Sequence, residues 1–94
     1  MALDKAGEVR QLLGEAEAAH HRYEQQELKG EYDDDWARWY AGFAVERGIS
    51  VILNHAVSVK DLTEFLTRTN EDYKTADQSV PWAEYTARRI VEEL

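Results

Sequence analysis

The residues of this chain best suited to chemistry lie in two short stretches. One is Glu17-Ala18-Ala19-His20-His21, with Glu24 one turn further on. Residues three or four apart project from the same side of a helix, so Glu17, His20, His21 and Glu24 form a candidate metal-ligating group. The other is Tyr32-Asp33-Asp34-Asp35-Trp36-Ala37-Arg38-Trp39-Tyr40, where acids run directly into large aromatics. Here Trp36, Trp39, Tyr40 and Asp35 are candidate ligand-binding residues, because ring faces beside carboxylates suit a cationic or planar molecule.

Both stretches also have plain structural uses. Dinuclear carboxylate bundles draw a Glu-x-x-His pair from each of two helices. The equivalent positions in the second half of this chain are Thr67 and Asn70, which do not bind a metal, so only a dimer would assemble two sets. An exposed, charged helix face is the ordinary role of such a stretch. Asp33, Asp34 and Asp35 read as an N-cap and as negative charge at the positive end of a following helix. Four aromatics on one stripe, Trp36, Trp39, Tyr40 and Phe43, read as core. His55 has no acid within helical reach and reads as a structural or surface histidine. No phosphate loop, nucleophile elbow, zinc signature or calcium loop is present, so no catalytic residue is nominated and no cofactor is expected.

The elements that must position these groups follow from apolar spacing. Val9, Leu12, Leu13, Ala16, Ala19 and Tyr23 keep three-and-four spacing among good helix formers, which predicts one long helix from about residue 3 to 28, closed by Lys29-Gly30. A second helix is expected over about 34–47, ended by Gly48. Residues 49–56 fit either a buried strand or a short helix; with no partner strand elsewhere, a short helix from Ser50 is the better reading. Ser58 as N-cap, Asp61 at the third helical position, and Val57 facing Leu62 mark the start of another helix. Pro81 fits the first turn of the last one, which carries Trp82, Tyr85 and Ile90.

Trp36, Ala37, Trp39, Ala41 and Val45 fall on Trp82, Ala83, Tyr85, Ala87 and Val91 at a constant offset of 46 positions. Leu12, Ala16 and Tyr23 fall on Leu62, Leu66 and Tyr73 at an offset of 50. The expected fold is therefore a single all-α domain over residues 1–94, with four main helices and one short one. It is built as two helical-hairpin units, about 1–47 and 48–94, related by an approximate two-fold repeat. The expected core is Trp36, Trp39, Tyr40, Phe43, Leu62, Phe65, Leu66, Trp82, Tyr85 and Ile90.

The motif Tyr32-Asp33-x-Asp35-Trp36-x-x-Trp39-Tyr40-Ala41, followed by Val57-Ser58 and Pro81-Trp82, resembles a group of small uncharacterised bacterial all-α proteins. That resemblance implies the helical fold and brings no activity or cofactor with it.

With 44% apolar and 32% charged residues, the 94-residue chain has an ordinary globular composition, and no run is long enough for a membrane span. A net charge of −8 argues against nucleic acid and against anionic lipid, both of which require clustered positive charge. The absence of cysteine and of a basic-then-apolar leader makes the cytoplasm the expected location. The expected function is a non-enzymatic protein-interaction or accessory module. It is expected to be a homodimer through the face Leu12, Leu13, Ala16 and Ala19 of the long first helix, whose stripe outruns its neighbours. The alternative is a small-molecule or metal-binding enzyme with a pocket between the hairpins, lined by Trp36, Trp39, Tyr40 and His20 with Glu17, Glu24 and Asp35.

Overall fold

The structure, a computed structural model, describes residues 4–94. They form α1 (Lys5–Gln26), α2 (Trp36–Glu46), α3 (Ile49–Leu53), α4 (Val59–Lys74) and α5 (Trp82–Glu93), with no strand among the described residues. The all-α class, the four main helices and the single short one are as the spacing predicts. The expected start of the first helix near Leu3 lies outside the described residues.

Local chemistry sets the boundaries. Asp4 begins α1 by accepting a hydrogen bond from the Gly7 N–H at 2.7 Å, and Ser58 begins α4 by accepting one from the Asp61 N–H at 3.0 Å. At the far end of α1, Lys29 and Gly30 take positive φ values of 53° and 84°, and the Gly30 N–H reaches back to the Glu24 carbonyl at 2.8 Å. Gly48, with φ 98°, separates α2 from α3 at a conformation costly for any residue with a side chain. Asn54, at φ 61°, ends α3, and the Ser50 hydroxyl then accepts from the Val57 N–H at 3.0 Å. The short helix thus begins one residue before Ser50 and stops well before Ala56. Pro81 stands at the N-cap of α5 rather than inside its first turn.

The main packing pairs are α1 with α5 and α2 with α4, so each helix lies chiefly against one from the opposite hairpin. Exchanging α1 with α4 and α2 with α5 turns each pair into the other, which is the pattern an approximate two-fold repeat requires. The fully buried side chains include Val9, Leu13, Leu62, Leu66, Ile49 and Ile90. Burying a side chain of this size contributes roughly 1.5–3 kcal/mol relative to leaving it exposed.

Two expectations are corrected here. The α2 aromatics are not the core: Trp36, Trp39, Tyr40 and Phe43 are only half-buried, as are Trp82 and Tyr85, while Ala37, Ala41 and Ala44 turn inward. Small side chains at three-and-four spacing let α4 lie close, and the wide rings occupy the flank where their polar edges stay near water. Leu62, Phe65, Leu66 and Ile90 are buried as expected. The second correction concerns α1. Val9, Leu12, Leu13 and Ala16 are already covered by the chain's own α5, α2 and α3, leaving Ala19 half-buried. That stripe is not a spare face, and the reason given for a homodimer through it is removed.

Candidate functional site

Two of the rings displaced from the core, Trp39 and Tyr40, pack on His20. This residue of α1 is 6% exposed, with the rings of Trp39, Tyr40 and Tyr23 at centroid distances of 4.9, 5.0 and 6.0 Å. Its Nε2 lies 2.8 Å from the Asp33 carboxylate, and its Nδ1 lies 3.5 Å from that of Glu24. A neutral imidazole donates from only one nitrogen, whereas an imidazolium donates toward both carboxylates. Asp33 is itself fixed, because its other oxygen accepts from the Asp35 N–H at 2.9 Å in a local turn. One aspartate therefore shapes the connection into α2 and anchors it to α1. Asp35, at the N-cap position, makes no side-chain capping bond, and the helix starts at Trp36 rather than Asp34. The tie from Asp33 to α1 has no local signal in the sequence, since its partner lies thirteen residues back on another element.

Beside His20 an open cleft of about 350 Å³ lies between the hairpins. Trp36, Tyr40 and Trp82 form its aromatic part, with pairwise centroid distances of 5.6–6.0 Å and interplanar angles of 77–86°. Three mutually near-perpendicular rings make the corner of a box. Tyr32, 74% exposed, stands at its rim. The polar lining consists of Glu17, Glu24, His20 and Asn70, and no lysine or arginine is among the described residues that line it. Glu17 is exposed as a whole residue, yet partial burial of its carboxyl pushes it above the usual carboxylate range. Burial, and then the charges of Glu17 and Glu24, push the Tyr40 phenol up to about 12.

Of the nominated residues, the structure brings Glu17, His20, Glu24, Trp36 and Tyr40 into this cleft and adds Tyr32, Asn70 and Trp82. Trp39 and Asp35 line a second cleft, of about 450 Å³, on the other side of α2. Arg38 stands among its acids, so the charge there is mixed, and Trp39 stacks on Phe43 at 5.6 Å. His21 is exposed and makes no part of either cleft. No three histidine, aspartate or glutamate side chains among the described residues form a group able to hold a metal ion. No described helix is long and apolar enough to cross a membrane.

No protein-family model matches the chain, and neither a curated protein nor a solved structure gives a significant match. The functional reading therefore rests on the cleft itself.

Proposed function

We propose that the chain is a non-enzymatic binding module that takes a cationic group into the cleft between its hairpins. The observation that carries this reading is the right-angled corner of Trp36, Tyr40 and Trp82 with two carboxylates, Glu17 and Glu24, on its polar side. Ring faces attract cations through their quadrupoles, by about 0.5–1 kcal/mol at exposed sites and about 2 when desolvated. The net charge of −8 also raises the local concentration of cations around the molecule. His20 supports binding over catalysis, because both of its nitrogens face carboxylates within the protein. The expected role as an interaction module is kept, with the cleft taking the place of the α1 stripe as the surface that recognises a ligand or a partner's side chain.

Titration at low salt with tetramethylammonium, followed by tryptophan emission, tests this reading. A saturable change is expected with tetramethylammonium and with choline, along with little response to 3,3-dimethylbutanol, the neutral isostere of choline. Trp82→Ala should weaken cation binding by about tenfold or more. Equal binding of the neutral compound, or no saturable response to any cation, overturns the proposal.

A further inference from the structure

Glu17 and Glu24 are two helical turns apart on α1, roughly 10 Å along its axis. Both line the same cleft, together with His20, which lies between them along α1, and the Tyr40 ring of α2. The acids are thus carried two turns apart on one helix along a cleft that the rings of Trp36 and Tyr40 also line, with the Glu24 carboxylate 3.5 Å from His20 Nδ1. The Tyr40 phenol is raised chiefly by burial and then by both carboxylates, so the ring lies within the field of each. A compact monocation meets one carboxylate at a time. A ligand with two positive ends and an apolar middle meets both, while its methylenes cover the rings.

Resting on the reading of the cleft as a cation site, we infer that its ligand class is a linear aliphatic polyamine, with terminal ammonium groups on Glu17 and Glu24 and its chain along Trp36 and Tyr40. Asn70, contributed by α4, lies across the cleft from α1 and can accept a hydrogen bond from an internal amine. The second unit lacks such a pair, since the positions equivalent to Glu17 and Glu24 are Thr67 and Lys74. The chemistry therefore belongs to one side of the repeat.

The test is calorimetry and tryptophan emission at fixed ionic strength, using butylamine, 1,2-diaminoethane, 1,4-diaminobutane and a longer linear triamine. Affinity should rise with the separation of the amines, with the triamine at least tenfold tighter than butylamine and the short diamine close to it. Glu17→Gln and Glu24→Gln should each bring the triamine down toward butylamine, while Glu92→Gln, an exposed acid outside the cleft, should not. If butylamine, or the short diamine, binds as tightly as the triamine, the polyamine inference is overturned and the cation site stands. An equal loss with Glu92→Gln also overturns it, since the acids would then act only through overall charge. If none of the amines, nor tetramethylammonium, perturbs the tryptophans, both the inference and the site are overturned.

Discussion

The two connections that close the hairpins, residues 27–35 and 75–81, solve one packing problem with different chemistry. In the first, Asp33 binds His20 of the preceding helix through one oxygen and turns the chain by accepting from the Asp35 N–H through the other. In the second, Asp77 makes the same kind of turn with the Ser79 N–H at 3.0 Å. The link to the preceding helix is neutral there, with the Tyr73 hydroxyl donating to the Val80 carbonyl at 2.7 Å. Tyr23 and Tyr73, equivalent in the repeat, pack on the equivalent rings Trp39 and Tyr85 at 5.7 and 5.1 Å. The scaffold is therefore shared. What differs is the polar set at these equivalent positions: Glu17, His20, Glu24 and Tyr40, which all line the cleft, against Thr67, Asn70, Lys74 and Thr86, of which Asn70 alone does. The second hairpin holds its connection with a neutral hydroxyl and keeps its Asp72–Arg89 ion pair near the surface, so a buried ionisable pair is not required to close its twin, and the excess chemistry points to a site carried on the scaffold.

The sharpest way to break this comparison is to truncate equivalent positions in the two units. His20→Ala removes a buried ring from among Tyr23, Trp39 and Tyr40 and leaves Asp33, whose side chain is 11% exposed, without its partner. A loss of about 3 kcal/mol in unfolding free energy is expected. Asn70→Ala, at the equivalent position in α4, should cost less than about 1 kcal/mol. Urea denaturation of both variants checks the contrast. Equal losses would mean that His20 and Asn70 do the same structural work, and the asymmetry would carry no functional meaning.

Much of this architecture was legible because its signals are local. The cap at Ser58 and the stop at Gly48 each depend on neighbours a few residues away, and the aromatic repeat at Trp36 and Trp82 shows as a constant offset of 46 positions. The inward face of α2 is marked by the alanines at 37, 41 and 44, while the mass of the adjacent rings points to the other stripe. Hydrophobicity ranks a tryptophan above an alanine, whereas close helix packing ranks them the other way. The His20–Asp33 pair and the entry of Trp82 and Asn70 into the cleft were not legible. They depend on how far the 27–35 connection folds back and on how the hairpins cross, which single-chain periodicity does not encode.

A smaller effect separates Tyr40 from its surroundings through pH. Its folded-state value of about 12 lies above the ordinary 10, so between these limits the unfolded chain loses the phenolic proton while the native protein retains it. Stability should be unaffected by Tyr40 below pH 10 and should fall as the pH rises toward 12. A difference of that size corresponds to about 3 kcal/mol. Partial solvent exposure screens the site and lowers the expected loss to about 1–2 kcal/mol. Urea midpoints measured from pH 9 to 12 should fall more steeply for the wild type than for Tyr40→Phe. Parallel curves would show that the phenol is not held neutral by the cleft, and would weaken the placement of Glu17 and Glu24 beside it.

The smallest expected effect lies at the position equivalent to Tyr40 in the second unit, where Thr86 of α5 is fully buried and its hydroxyl has no hydrogen-bond partner. Tyr40 carries its oxygen far enough from the backbone to sit at the cleft, while a threonine at the matching place leaves its oxygen within the packed interior. A buried hydroxyl that gives up water without gaining a partner is destabilising. Valine has nearly the same shape and no such group, so Thr86→Val should raise stability by about 0.5–1 kcal/mol. Thermal unfolding checks the gain. Tryptophan emission on titration with tetramethylammonium should meanwhile be unchanged, because Thr86 does not line the cleft. A loss of stability instead would mean that the hydroxyl is satisfied in solution, for example by an ordered water, and that the second unit has a buried polar network of its own. In that case the two halves would differ in the kind of polar chemistry they hold, and the first unit would no longer be the one with chemistry in excess of what folding requires.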